Sequence, residues 1–323
     1  MPQPRSDAPA NTYDVAVVGG GPAGLSAALS LARARRRVIV LDAGEPRNAV
    51  AAHMHGVLGH DGIPPELLRQ RGREEVTRFG GVFVDEQVAA LALVDDGRGV
   101  HVRGSAVAVT ARRVVIATGL RDGLPEIDGI REQWGRGVLV CPHCDGWEHR
   151  DDIIGVVATG PGGIDQAHQV RQWSERVVYF PNDVGEPSSR MRRSLEVRGI
   201  RIDPGRVARV VSRNGRLAGV DVAGRRVAVD CVFTSTRLRP RDGLLRGLGA
   251  RVSQPDGEWT VVDEQGRTSI AHVWAVGNVV DPRSNVSVSL GAGSLLAGAV
   301  NADLTAEDID LALVTAPVVS TTP

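Results

Sequence analysis

Two thiols stand two residues apart in Cys141-Pro142-His143-Cys144-Asp145-Gly146, with a carboxylate directly after the second. That spacing suits a reversible disulfide. Only the thiolate attacks, and a C-x-x-C turn near a helix N-terminus lowers one member of the pair from the free-thiol pKa of about 8.5. Asp145 is placed to give and take a proton, and His143 to lower a thiol pKa. A helix-capping role for Asp145 is compatible with both. The competing use of the pair, half of a zinc site, has no second C-x-x-C companion, so no metal is assigned.

A second stretch carries a different chemistry. Val15-Ala16-Val17-Val18 is an apolar run broken by Gly19-Gly20-Gly21-Pro22-Ala23-Gly24, followed by an Ala- and Leu-rich helical segment and then Val38-Ile39-Val40-Leu41-Asp42. This is a strand, turn, helix, strand unit that reads as a dinucleotide cradle. Gly19 allows the tight turn, Gly21 admits a pyrophosphate to the main chain, and Gly24 lets helix and strand pack closely. The helix N-terminus offers free N–H groups to the phosphates, and Asp42 can accept hydrogen bonds from a ribose. A dithiol and a bound flavin together suit two-electron exchange between sulfur and an isoalloxazine ring.

The surrounding chain must position these two stretches. Its 323 residues exceed what a single core usually supports, so two domains are expected. Residues 1–12 read as a disordered leader, 13–122 as the first part of the cradle domain, 123–238 as an inserted domain carrying the dithiol, and 239–323 as the remainder with a C-terminal tail. The fold class is α/β, with two Rossmann-like, three-layer dinucleotide-binding domains, the first interrupted by the smaller second. Ala43 to Gly62 reads as a loop lining the flavin pocket and holds Arg47, Asn48, His53, His55 and His60. The three histidines have no nearby ligands at a familiar metal spacing. Pro64 to Phe79 reads as an amphipathic helix. Val82 to Val94 and Gly99 to Val109 read as antiparallel strands around a turn at Asp95-Asp96-Gly97, and Arg112 to Ile116 as a buried strand ending in Ala117-Thr118-Gly119.

A second nucleotide unit follows the dithiol: a strand from Ile153, the turn Ala158-Thr159-Gly160-Pro161-Gly162-Gly163, a helix to Trp173, and the strand Val177 to Phe180. Here Ala158, Gly160 and Gly163 hold the three glycine positions, so a methyl occupies the first. After Phe180 come Pro181, Asn182 and Asp183, with no basic cluster for a 2'-phosphate. Arg190, Arg192 and Arg193 read as a solvated helix face. Val207 to Val222 and Arg226 to Cys231 read as short strands. Cys231 lies in an apolar alternation and reads as a buried, inert thiol.

Composition closes off other classes of function. There are 38 basic and 38 acidic residues, giving zero formal net charge and nothing that favours nucleic acid or a membrane surface. Every basic residue is Arg, which excludes a lysine Schiff base and a P-loop lysine. Val286 to Val300 is too short and interrupted to span a bilayer, and the N-terminus lacks the apolar core of a signal peptide. Three cysteines do not make a secreted disulfide framework, so a cytoplasmic protein is expected.

The order of motifs, from the first glycine fingerprint through Ala117-Thr118-Gly119, Cys-x-x-Cys-Asp and the second turn to Gly277-Asn278 and Asp281, resembles low-molecular-weight thioredoxin reductase over nearly the whole chain. The resemblance implies a homodimer that binds FAD through Gly19, Gly21, Pro22, Ala23, Gly24, Asp42, Ala43, Arg47, Asn48, His55, Ala117, Thr118, Gly119, Gly277, Asn278 and Val286. It implies further that Cys144 faces the flavin, that Cys141 is the interchange thiol and that Asp145 is the acid/base. The departures are Gly277-Asn278 for Gly-Asp, Ser284-Asn285 for Arg-Gln, and the eroded second turn. They are similar to those in FAD-dependent dithiol oxidases that close disulfides in natural products such as gliotoxin, holomycin and romidepsin. That branch implies a small-molecule dithiol as donor, oxygen as acceptor and no need for NADPH. Two alternatives stay open: an NADPH-dependent reductase of thioredoxin or a thioredoxin-like protein, and a non-catalytic flavin redox sensor.

Overall fold

The computed structural model describes residues 11–95, 97–253 and 258–316. Residues 1–10 of the expected leader, Asp96 of the expected turn and residues 317–323 of the tail lie outside the described residues. Within them the chain divides into two compact units, one of residues 11–46, 66–121 and 240–316, the other of residues 47–65 and 122–239. The longer segment of the second unit runs from 122 to 239. The segment 47–65, expected in the first unit, packs with the second.

In the first unit β1 (Thr12–Val18), α1 (Pro22–Arg33) and β2 (Val38–Leu41) form the expected crossover. After α2 (Pro65–Arg78) come β3 (Val82–Val84), β4 (Ala90–Leu93), β5 (Val100–Arg103) and β6 (Ala108–Ile116). The stretch 82–94 is thus not one strand: β3 joins β2 in parallel, and only β4 makes the expected antiparallel pair with β5. The sheet order is β3-β2-β1-β6-β5-β4. Its central strands are buried on both faces, as a parallel sheet covered by helices requires. Val15 and Val17 point into the cluster made with α1, while Ala16 and Val18 point into the opposite one.

The chain leaves along β7 (Leu120–Gly123). The second unit contains α3 (Ile130–Gln133), β8 (Val138–Leu139), α4 (Pro142–Asp145), β9 (Ile154–Val157), α5 (Gly163–Val170), β10 (Val177–Phe180), α6 (Ser189–Val197) and β11 (Arg201–Ile202). An antiparallel trio follows, β12 (Val207–Arg213), β13 (Arg216–Val222) and β14 (Arg225–Val227), and then β15 (Cys231–Thr234). The parallel order β11-β10-β9-β15-β8 is a smaller Rossmann-like sheet. The chain returns along β16 (Arg237–Pro240), which pairs with β7, and completes the first unit with α7 (Gly243–Gly247), β17 (Val273–Ala275) and α8 (Val286–Thr315). No helix among the described residues is long and apolar enough to cross a membrane.

Helix α8 runs on to Thr315 and buttresses the cradle. A Cβ at Gly293 would collide with the carbonyl oxygen of Ala23, and Ser26 Oγ donates to the Leu290 carbonyl at 2.6 Å. Arg113, almost fully buried, pairs with Asp303 at 2.5 Å and Glu307 at 2.9 Å on α8, while Arg36 reaches Asp308 at 2.6 Å. These ion pairs fix which turn of α8 faces the sheet, the kind of registry role that buried charges serve.

Gly293→Ala is expected to lower stability by about 1–3 kcal/mol through overpacking and to lower FAD occupancy. Gly298→Ala, whose Cβ would meet open space, is expected to be neutral or stabilising by up to about 1 kcal/mol. Thermal midpoints and flavin absorbance of the two purified variants check the contrast.

Candidate active site

In the second unit β8 runs directly into the dithiol. Cys141 caps α4, and Cys141 and Cys144 form a disulfide with their Cα atoms 5.2 Å apart. The Cys141 carbonyl accepts from the N–H groups of Cys144 at 3.1 Å and Asp145 at 3.2 Å, which winds one helical turn between the sulfurs. Gly146 is needed next, because a Cβ there would collide with the Pro142 carbonyl and stand 2.7 Å from the Trp173 ring. The Trp173 carbonyl accepts from Asp151 N–H at 3.1 Å, and Gln166 Nε2 donates to the Val140 carbonyl at 2.8 Å just before the pair. The turn is thereby held from both sides.

Asp145 is partly buried, and burial raises its pKa above the ordinary carboxylate value; Glu148 adds to the rise, while His149 and His55 act against it. A carboxyl poised in that way is suited to move a proton at the neighbouring sulfurs. His143 is exposed and sets its ring edge-on against Trp173, with ring centroids 5.8 Å apart. His55 stands 3.5 Å from Glu148 and 3.5 Å from Asp61. Glu148 and His149 were missed from sequence, although the spacing 145, 148, 149 places them on one side of a continuing helical turn.

The loop 47–65 belongs with this unit for a specific reason. Arg47 makes a two-pronged pair with Asp122, Nε to Oδ2 at 2.7 Å and Nη2 to Oδ1 at 2.8 Å, and Thr236 Oγ1 donates to the same carboxylate at 2.7 Å. Asn48 sits in the one-turn helix Arg47–Val50, and Met54 and Val57 are buried. Arg47, Asn48 and His55 are thus placed beside the dithiol unit, whereas Ala43 remains in the first. His53 and His60 are exposed.

The first unit contains the cradle. Gly19 has a left-handed φ of +111°, and a Cβ there would strike the Ala117 carbonyl; one at Gly24 would strike the Gly19 carbonyl. At Gly21 a Cβ would meet nothing within 4 Å, so the backbone is open where a pyrophosphate approaches. Pro22 opens α1, Ala23 is buried behind it, and no side chain caps the helix, which leaves its N–H groups for an anion. Asp42 packs against Gly20 at the end of β2 and borders an open cleft of about 980 Å³ that is also lined by Ala43, Arg69, Gln70 and Arg73. These residues fit the adenosine half of FAD.

Ala117 donates its N–H to the Val18 carbonyl at 2.8 Å, Thr118 Oγ1 donates to the Arg241 carbonyl at 2.7 Å, and Gly119 has φ +73°. Gly277, also left-handed, packs against Ala23, where a Cβ would stand 2.9 Å from that methyl. Asn278 Nδ2 donates to the carbonyls of Asp281 at 3.0 Å and Ser284 at 2.9 Å. A carboxylate could do neither, which gives Asn a physical reason to stand here. The bracketed loop delivers Asn285, whose side chain accepts from Val288 N–H at 2.9 Å and starts α8 at Val286.

The second glycine turn is built differently. Gly163 packs against the Ala158 methyl, a Cβ there standing 2.7 Å away, while Gly160 and Gly162 face open space. Asn182, with φ +51°, donates from Nδ2 to the Ala158 carbonyl at 3.1 Å and accepts from Val207 N–H at 3.0 Å. The residue at the end of β10 is therefore committed to the protein itself. Arg192 pairs with Glu186 at 2.5 Å and Arg206 with Asp183 at 3.1 Å.

Residues 13–298 match the family described as pyridine nucleotide-disulphide oxidoreductase. Thioredoxin reductase tcpT of Claviceps purpurea is 30% identical over 279 residues, covering 83% of this chain and 87% of that relative. A probable thioredoxin reductase of Arthroderma benhamiae is 36% identical over 180 residues, covering 54% of this chain and 45% of the relative, so the aligned part is less than half of that protein. Among solved structures, the crystal structure of HlmI superposes with a TM-score of 0.89 at 45% identity, covering 94% of this chain and 95% of the other.

Asn278→Asp is expected to cost about 1–3 kcal/mol, because two backbone carbonyls lose a half-buried donor and face a carboxylate instead. Isothermal denaturation of the holoprotein, with FAD release followed by fluorescence, checks this. Asn278→Ala is expected to lose the bracket with a smaller penalty.

Proposed function

Because the chain belongs to the pyridine nucleotide-disulphide oxidoreductase family and is an FAD-dependent disulfide oxidoreductase, we propose that it oxidises a small-molecule dithiol to a disulfide, with oxygen as acceptor and hydrogen peroxide as product. The observation that carries this direction is Asn182. Where a nicotinamide dinucleotide's ribose would be read, its side chain bridges the Ala158 carbonyl and the Val207 N–H. Two of the nearby arginines, Arg192 and Arg206, are already paired with acids. A 2'-phosphate would have to displace these pairs to use either guanidinium.

In this reading a substrate thiolate attacks Cys141 Sγ, breaks the Cys141–Cys144 bond and leaves a mixed disulfide with Cys144 as thiolate. The second substrate thiolate attacks its partner sulfur in that mixed disulfide, closing the product ring and expelling Cys141. FAD, when bound, would supply the two-electron acceptor for the reduced cysteines and the route on to oxygen. Asp145 takes a proton from an attacking thiol and returns it as the cysteines re-form their disulfide. The balance is one dithiol and one oxygen molecule to one disulfide and one hydrogen peroxide, two electrons and two protons moving together.

The second reading, reduction of thioredoxin or a thioredoxin-like protein by NADPH, has its own support. Gly160 and Gly162 leave open space in front of α5 for a pyrophosphate, and the curated relatives described above are named thioredoxin reductases. In either reading a homodimer is proposed. Val288, Leu295, Ala302, Ile309 and Leu313 form an exposed stripe along α8 with helical spacing, which a second copy of the chain would cover.

Cys141→Ser and Cys144→Ser are each expected to retain FAD and to lower dithiol-dependent oxygen uptake by at least about three orders of magnitude, since thiol–disulfide exchange has no other pair to use. An oxygen electrode with a peroxide assay checks it, and undiminished turnover in either variant would overturn the reading. With Asp145 above the ordinary carboxylate range, and with His55, Glu148 and His149 facing it, wild-type rate falls on the acid side as pH drops through that raised pKa. Asp145→Asn is expected to remove this limb and to slow turnover about 10²–10⁴-fold.

A further inference from the structure

Cys231 is the cysteine that the dithiol chemistry leaves unused. It is fully buried at the first residue of β15 and opposes Ile154 in the pairing with β9. That register carries the residues just ahead of β9 to the thiol. Asp152 is one of them, and His149 lies three residues earlier on the turn that continues from Asp145. His149 Nδ1 stands 3.0 Å from Asp152 Oδ2, and one ligand atom from each of His149, Asp152 and Cys231 lies within 4.8 Å of the other two. We propose that these three residues form a binding site for a divalent cation of the zinc class.

The donor set is what selects the ion. Thiolate sulfur, imidazole nitrogen and carboxylate oxygen together suit zinc, which takes them at about 2.3 Å for sulfur and about 2.0–2.2 Å for nitrogen or oxygen. Ligand atoms around such an ion stand roughly 3–4 Å apart, so small side-chain rotations close the set. Magnesium and calcium would not choose a thiolate. The backbone beneath the site is already fixed: Ser174 Oγ donates to the Asp152 carbonyl at 2.5 Å, Asp152 N–H to the His149 carbonyl at 3.1 Å, and Ile153 N–H to Asp230 Oδ2 at 2.8 Å. The cluster is closed on the Cys231 side, while His149 and Asp152 are partly exposed, which gives an ion a route in and a water the fourth position.

A bound divalent ion takes the thiol as thiolate. Its structural consequence would be to tie the turn that follows the dithiol to the starts of β9 and β15. The inference does not depend on the direction of electron flow.

The test uses chelator-treated holoenzyme with the Cys141–Cys144 disulfide intact, so that those sulfurs cannot bind metal. Equilibrium dialysis against zinc followed by elemental analysis is expected to leave about one zinc per chain. Cys231→Ser and His149→Ala, each checked for FAD content, are expected to weaken retention at least about tenfold, as removal of a ligand or its support does. Absence of retained zinc in the oxidised wild-type protein, or equal retention in both variants, would overturn the site. Cobalt(II) gives a second readout that needs no variant. Intense tetrahedral bands beyond the flavin absorption support the set, and the weak spectrum of hydrated cobalt contradicts it.

Discussion

A disulfide that must open and close every cycle needs both sulfurs held within bonding distance by a scaffold that does not itself move. Here that constraint is met by a single helical turn, with the Cys141 carbonyl accepting from Cys144 and Asp145 and the Cα atoms 5.2 Å apart. The rest of the inserted unit serves this turn. Gly146 makes room for Trp173, Gln166 fixes the approach at Val140, and the strands β8 and β9 carry the two ends of the segment. Asp145 gains its raised pKa from the same packing, so the proposed proton carrier and the sulfur geometry have one origin.

The two glycine turns show how one backbone plan acquires different uses. In the first, Gly19 answers a steric demand against Ala117 and Gly24 one against Gly19, while Gly21 faces open space. In the second, the Ala158 methyl packs on Gly163 and the Ala158 carbonyl is bonded by Asn182. Both turns keep the strand-turn-helix crossover, while Gly160 and Gly162 still face open space. Fold and ligand use are separable in that sense.

Much of this was legible in sequence because it rests on local rules. The β1–α1–β2 unit, the dithiol turn and the inserted second sheet follow from glycine offsets and buried apolar runs. What was not legible depends on partners far apart in the chain. The loop 47–65 joins the dithiol unit through Arg47 and Asp122, 75 residues apart, and Arg113 reaches Asp303 across 190. Strand β3 looks continuous with the antiparallel segment after it, yet its register is set by β2. Cys231 is buried, as its apolar alternation implies, but the sequence does not show that the pairing of β15 with β9 brings His149 and Asp152 close to it.

Electrons are proposed to enter from the substrate dithiol rather than from NADPH. Anaerobic mixing of the oxidised holoenzyme with a small dithiol, and separately with NADPH, followed by admission of oxygen, tests it through the flavin absorbance. The dithiol is expected to bleach the flavin within a turnover, oxygen to restore the colour with one hydrogen peroxide per flavin, and NADPH to leave the spectrum nearly unchanged. Rapid bleaching by NADPH, with the flavin indifferent to every dithiol tried, would contradict it.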